Sequence, residues 1–394
     1  VIAQAARLCP VRSEDLTRAT VLRRPCGPPL VDEEDIGCLL RALSRHPGRH
    51  AISRVFHEGA ESLAAQQAVF GSPPRAGERL GAWAKRVFPD RRFGVVAYKV
   101  EQLDDELTRR WAGLRAALAE RCGVGQAGNE VFLFAGNYGY TPMGAHRDRE
   151  QGPVIHLHAG PASKTITRWS DESYLAAHGS DTPCHDPAAI IASGESHRID
   201  PGDVFVLPSG GYHVGHTPEM SASISLAEVL PTPRKVLDFV LAAAAEELAT
   251  ADALAPALML QERRDPQDLQ GLQGLQQLQG LLAMRPEGSA ADWLETAYRS
   301  YQLSLLSNLG FSTPPALAHV APDTLRGVRL KRLLPFPLPW ERMAEDFVLY
   351  VRRRRLALPW DDAWPDIIAA LEAPCPAEEM VARLATNWDE DAAW

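Results

Sequence analysis

One stretch constrains this chain more than any other: Gly202-Asp203-Val204-Phe205-Val206-Leu207-Pro208-Ser209-Gly210-Gly211-Tyr212-His213. Asp200-Pro201-Gly202-Asp203 is turn chemistry, because Pro fixes φ, Gly accepts a left-handed backbone and Asp bonds to nearby amides. An apolar strand follows, Pro208 to Gly211 bends the chain again, and His213 projects from the next strand. A turn, a buried strand, a second turn and a polar ring in that order suit the mouth of a β-barrel.

The surrounding segments carry the same punctuation. Arg92 to Val100 reads as a strand, and Asp105 to Arg121 as an amphipathic helix with Leu107, Trp111, Leu114 and Leu118 on one side. Glu130 to Phe134, Pro153 to His158, Lys164 to Trp169, Ser196 to Ile199, Asp203 to Leu207 and Ser221 to Val229 are short, turn-bounded extended runs. Frequent short strands predict a sandwich or barrel rather than alternating β and α units. Upstream, Ile36, Leu39, Leu40 and Leu43 make a helical stripe within Glu33 to Leu43, and Ala82 to Phe88 is similar and stops at Pro89. Residues 1–91 therefore read as an α-rich segment packing on a core at 92–230.

After Pro233 the character changes. Lys235 to Leu254 is rich in Ala and Leu and strongly helical. Asp268 to Leu282 repeats Leu at 269, 272, 275, 278 and 281 among Gln and Gly. A period of three drifts around an α-helix and Gly weakens it, so a partly helical insertion is expected rather than a coiled coil. Residues 231–322 form a helical region. In 323–394, Phe347 to Leu358 reads as a strand pair around Arg352-Arg353-Arg354-Arg355, followed by helical Trp364 to Leu371 and Ala377 to Leu384. That order suits a small winged-helix-like unit. The fold class is α+β.

Composition excludes several functions. The 394 residues hold 41 Lys plus Arg against 50 Asp plus Glu, a net charge of −9, which disfavours a general nucleic-acid binder but permits a local basic patch. No apolar run approaches the roughly 20 residues that span a bilayer. Val1 to Arg24 has no signal-peptide pattern, and the absence of an initiator Met is what a piece of a longer chain would show. Cys9, Cys26, Cys38, Cys122, Cys184 and Cys375 lie apart with no CxxC pair, so free thiols and a cytoplasmic location are expected.

Two His and one carboxylate on one face hold non-haem Fe(II), leaving the opposite face open. Here His146-Arg147-Asp148 offers His-x-Asp, whose alternate side chains reach the same side of an extended segment, and His213 offers the distant second His. His216, three residues further on, is the competing third ligand, although on a strand it would face the other way. His156-Leu157-His158 lacks the following Glu of a His-x-His metal site, so a solvated or supporting role is expected.

Together, His146-x-Asp148 and the G-x5-P-x-G-x2-H run ending at His213 resemble the JmjC-type 2-oxoglutarate oxygenases, a branch of the cupins. The resemblance covers roughly Arg92 to Leu230, and the Asn usual four residues after the second His is Thr217 here. It implies a double-stranded β-helix (cupin, jelly-roll) core with catalytic residues His146, Asp148 and His213 as metal ligands. It further implies Fe(II), 2-oxoglutarate as co-substrate and O2, with succinate and CO2 formed as a C–H bond is hydroxylated.

Such an enzyme needs a cation for the distal carboxylate. Val214 to Pro233 contains no Arg or Lys, so the arrangement with an Arg after the second His is absent. The family's alternative is a Lys on the strand after His-x-Asp, and Lys164 is the only Lys between Lys99 and Lys235. Thr141 resembles the hydroxyl residue preceding His-x-Asp, displaced by Gly144 and Ala145; Tyr138 and Tyr140 are the alternatives. Relatives with a helical region and a terminal winged-helix-like unit hydroxylate protein residues, ribosomal proteins among them, and dimerise through the helices. The resemblance thus points to a protein or peptide substrate and a homodimer. The Arg352 to Arg355 run is either a solvated hairpin or a contact for acidic peptide or nucleic acid. A hydroxylase of a free amino acid or natural-product intermediate and a regulatory metal-binding cupin without oxygenase activity are the competing readings.

Overall fold

The computed structural model describes residues 16–250, 290–314, 325–333 and 335–384. The Leu/Gln/Gly run at 268–282 and Cys9 lie outside them.

The N-terminal part alternates strands with helices. Strand β1 is Thr20–Leu22, followed by helix α1, Glu33–Arg45. Asp32 caps α1 by accepting from the Asp35 amide while the Asp35 carboxylate accepts from the Asp32 amide. The predicted stripe of Ile36, Leu39, Leu40 and Leu43 is buried. Then come β2 (Ser53–His57), β3 (Ala60–Glu61), α2 (Leu63–Gly71) and α3 (Leu80–Val87). The α-rich expectation for 1–91 is thus incomplete, because β1, β2 and β3 all join the main sheet. Val55 and Phe56 are adjacent and both buried, so β2 lacks the alternation that betrays a half-exposed strand.

The middle of the chain supplies β4 (Phe93–Ala97), α4 (Asp105–Cys122), β5 (Asn129–Gly136), β6 (Gly139–Tyr140), β7 (Gln151–Pro161), β8 (Lys164–Trp169), α5 (Asp171–His178), β9 (Glu195–Ile199), β10 (Val204–Leu207), β11 (Tyr212–Thr217) and β12 (Ser221–Val229). An eight-stranded sheet runs β1-β10-β7-β12-β5-β4-β2-β3, and a four-stranded sheet runs β6-β11-β8-β9. All their pairings are antiparallel.

The large sheet is covered on both faces. On one, Val131, Leu133, Ile155, Leu157, Ile224 and Leu226 share a core with α1, α3 and α4. On the other, Phe132, Phe205 and Leu207 meet Ile166 and Ile199 of the small sheet. This double burial is why β4 and β10 read as unbroken apolar runs. On the face toward the small sheet the register aligns two rows. Ser225 of β12 stands opposite Phe132 and His156, and Ser223 stands opposite Phe134 and His158.

Beyond the sheets, α6 (Pro233–Thr250) and α7 (Ala290–Ser307) pack through Val240, Ala297 and a stacked Phe239–Tyr301 pair at 5.2 Å. The C-terminal part holds β13 (Arg329–Leu330), β14 (Trp340–Met343), β15 (Asp346–Val351), β16 (Arg354–Pro359), α8 (Trp364–Ala370), β17 (Cys375–Pro376) and α9 (Ala377–Leu384). Strands β14, β15 and β16 form a three-stranded antiparallel sheet. Arg352 and Arg353 make the β15–β16 turn, both at positive φ. Neither expectation for this run describes Arg352: it is buried, bonds Asn308 Oδ1 at 2.7 Å and Asp105 at 3.1 Å, and lies 3.7 Å from the centre of the Phe336 ring. Among the described cysteines, Cys26, Cys38, Cys184 and Cys375 are free thiols. No helix among the described residues is long and apolar enough to cross a membrane.

Candidate active site

His146 and His213 are far apart in sequence but directly paired in space. Each backbone amide donates to the other's carbonyl, at 3.0 and 2.8 Å, so the His-x-Asp segment lies against the start of β11. A neighbouring pair of bonds joins Ala145 to Cys184. Gly144 makes that approach possible: its φ is +72°, and a Cβ there would collide with the Cys184 carbonyl. The bend before β11 has Gly210 at φ +85°, as the turn chemistry of Pro208 to Gly211 predicts.

One potential ligand atom each from His146, Asp148 and His213 lies within 4.8 Å of the others. Both His Nε2 atoms stand 3.6 Å from an Asp148 carboxylate oxygen. The opposite ring nitrogens are occupied by the backbone: His146 Nδ1 faces the Gly144 carbonyl at 3.0 Å, and His213 Nδ1 faces the Gly211 carbonyl at 3.4 Å. With Nδ1–H donating to a carbonyl, the Nε2 lone pair points to the shared centre, the tautomer a metal needs. Burial, with the neighbouring His146 ring, holds His213 down to about 4, so it is a neutral donor near pH 7. Two imidazoles and one carboxylate with an open side match the donor preference of Fe(II).

The cluster lines one end of a cavity of about 220 Å³. Val96, Tyr98, Phe132, Phe134, Val154, Ile166 and Leu207 form its apolar walls. Lys164 also lines it, 4% exposed, with Nζ 3.3 Å from Ser223 Oγ and 5.8 Å from the centre of the Phe134 ring. No carboxylate pairs with it among the described residues, and burial pushes its ammonium down to about 8. A buried cation without an anion is expensive, so an acidic ligand would relieve it.

Of the three hydroxyl candidates, the structure brings two to the cavity. Thr141 lines it, but its Oγ1 is engaged with Gly215, accepting from the amide at 3.0 Å and facing the carbonyl at 3.3 Å. Tyr138 lines it too, and burial pushes its phenol up to about 12, so it stays a neutral donor. Tyr140 does not: its ring packs 4.5 Å from that of His216, with which it pairs across β6 and β11. His216 is outside the cavity for the parity reason foreseen. His156 and His158 are not solvated, since both are buried, and His156 lines the cavity. Not singled out from the sequence were Ser225, which lines the cavity and meets His156, and Ser223, which meets Lys164. The alternation Ser221-x-Ser223-x-Ser225 beside His156-x-His158 was the available signal.

No protein-family profile matches this sequence, and no curated protein does. Among solved structures, the chain is similar to the Escherichia coli ribosomal oxygenase YcfD at 15% identity and a TM-score of 0.48, over 95% of this chain and 91% of that one. YcfD in complex with cobalt and 2-oxoglutarate gives 16% identity and a TM-score of 0.47, over 94% and 91%.

Proposed function

We propose that this protein is an Fe(II)- and 2-oxoglutarate-dependent oxygenase that hydroxylates a residue of a protein or peptide. The observation that carries the proposal is the pairing, in one cavity, of the His146–Asp148–His213 cluster with an ammonium that has no anionic partner among the described residues. His146, Asp148 and His213 would hold the iron, and Lys164 would hold the distal carboxylate of the co-substrate, with Tyr138, whose hydroxyl also meets Thr217, as the hydroxyl donor and Thr141 tied to the backbone. Iron and O2, with oxidative decarboxylation of 2-oxoglutarate to succinate and CO2, supply the oxidising power for C–H hydroxylation. The chain's own part is positioning and water exclusion. The carbonyls of Gly144 and Gly211 fix the His rings, and Tyr98, Phe132, Phe134 and Tyr138 wall the cavity.

A protein or peptide substrate is supported by a second, open recess of about 550 Å³, lined by Arg147, Asp148, Arg149, Asp181, Ser209, Gly210 and Leu230. Asp148 borders both spaces, so a side chain can enter the cavity while its backbone stays outside. We read the two facing sheets as a double-stranded β-helix at 92–230, extended by strands from 1–91. The helical region, 231–322, is proposed as a homodimer contact, supported by exposed Leu237, Leu241 and Leu306 on α6 and α7. The 323–394 unit is proposed as winged-helix-like and able to help engage substrate, and the location as cytoplasmic.

The test is succinate formation by anaerobically reconstituted Fe(II) protein given 2-oxoglutarate and O2, beside Asp148→Ala. Wild type should form succinate slowly even without the primary substrate, and the variant should fall to background. Iron-loaded protein that neither binds 2-oxoglutarate nor turns it over would sink the proposal.

A further inference from the structure

His156 is a polar group of the cavity that this reading leaves unused. His156 sits mid-strand on β7, 8% exposed, opposite Ser225 of β12 and Phe205 of β10. Its Nδ1 is 2.6 Å from Ser225 Oγ, and its ring stacks with that of Phe205 at 5.9 Å. Its Nε2 is buried and has no hydrogen-bond partner. His158, two residues on, differs: its Nδ1 meets Ser223 Oγ at 3.0 Å and its Nε2 meets the Ala162 carbonyl at 2.8 Å. Of two buried histidines on one strand, one is saturated and the other, which lines the cavity, keeps a buried nitrogen without a partner.

Buried polar atoms in folded proteins are nearly always bonded, so an open one points to a missing partner. His156 and Lys164 both line the cavity, and their hydroxyl partners, Ser225 and Ser223, stand two residues apart on β12. Burial, with the Lys164 charge, keeps the imidazole neutral. If the Ser225 hydroxyl donates to Nδ1, the ring proton is on Nε2, and that nitrogen can only donate. Its partner must then be an acceptor, and Lys164, which lines the same cavity, lacks an anion.

We propose that His156 Nε2–H is a second donor to the carboxylate held by Lys164, with Ser225 fixing the tautomer. The cavity would thereby select a dicarboxylate whose far end takes one charged and one neutral hydrogen bond. This rests on the oxygenase reading above.

The experiment is anaerobic calorimetry of 2-oxoglutarate binding to the Mn(II)-loaded protein, which needs no turnover. His156→Phe keeps the ring and removes both nitrogens; it should weaken binding about tenfold, the loss of one good hydrogen bond. His156→Gln restores an N–H donor and should recover affinity to within about threefold of wild type, and Ser225→Ala should lose roughly threefold. Thermal melting checks that each variant is folded. If His156→Phe and Ser225→Ala bind as wild type does while Lys164→Met has lost binding, the His156 proposal is overturned and the oxygenase reading stands. If Mn(II)-loaded wild type itself fails to bind, both fall together.

Discussion

Among the cations buried in the described residues, Arg352 and Lys164 lie in two regions under opposite conditions. Arg352, in the C-terminal hairpin, is 7% exposed and satisfied on several sides by Asn308, Asp105 and the face of Phe336. Lys164, between the two sheets, is 4% exposed and has one neutral hydroxyl and the face of Phe134. The residue types fit the tasks: a guanidinium bonds in several directions and stays charged, whereas an ammonium is a point charge whose ionisation shifts readily on burial. Arg352 ties β15–β16 to the ends of α4 and α7, so its partners are structural. Lys164 has no anionic partner among the described residues. Removing a partner from a buried charge that is met is strongly destabilising, whereas an unmet one would be relieved by an acidic ligand.

The largest expected effect follows from breaking the satisfied cation. Arg352→Ala leaves the Asn308 carbonyl short of a donor and opens a gap beside Phe336, which should destabilise by about 3 kcal/mol. Chemical denaturation would measure it, and 2-oxoglutarate affinity at a folded temperature should stay within about twofold of wild type. Lys164→Met is the opposite experiment. Removing an unmet charge from an apolar site should leave unliganded stability unchanged or raise it by about 1 kcal/mol. The same variant should lose at least about thirtyfold in 2-oxoglutarate affinity, the worth of a charged hydrogen bond. A Lys164→Met protein as destabilised as Arg352→Ala would erase the distinction between the two cations.

Legibility in the sequence divides along the same line. His146, Asp148 and His213 were readable because tight turns and strand parity are local properties, and the Gly202–His213 run spells both out. Lys164 was readable only as the single Lys in a long interval; that it faces inward depends on β8 lying across from Ser223, which no local pattern encodes. Arg352 was misread because four consecutive arginines suggest solvent. The turn that sends it inward has positive φ at Arg352 and Arg353, where Asn or Gly would have been the signal. The strands of the first 91 residues were missed because β1 and β3 are only three and two residues long and β2 buries the adjacent Val55 and Phe56, so none shows a clear alternation. Tyr140 was separated from Tyr138 only by the pairing of β6 with β11.

A smaller effect should come from pH. Burial depresses the Lys164 ammonium from 10.5 to about 8, so the folded state favours its neutral form. In the unliganded protein this works against stability below pH 8, where the charge is fully buried, and the penalty fades as pH rises from about 8 to 10.5. Ligand affinity runs the other way, because a carboxylate needs the charged form. Binding of 2-oxoglutarate to the Mn(II)-loaded protein should be flat below pH 8 and weaken above it, by up to about tenfold per pH unit. Lys164→Arg, charged throughout, should flatten that limb even if its affinity is lower. A limb that persists in the Arg variant would assign the pH dependence to another group.

The smallest effect separates the partners of the satisfied cation. The Asp105 side chain is 46% exposed, whereas Arg352 is nearly enclosed. Water and salt therefore screen the ion pair, while the bond to Asn308 and the contact with Phe336 remain dry. Asp105→Asn should cost less than about 1 kcal/mol, part of it from losing a negative charge in the first turn of α4. Raising the salt concentration should shrink the difference from wild type, and denaturation in low and high salt would measure both values. If Asp105→Asn instead matches Arg352→Ala, the carboxylate carries the contact and Arg352 is held by its charge. In that case the contrast with Lys164 reduces to the presence or absence of one anion, and placing an acid beside Lys164 should turn that site from binding to structure.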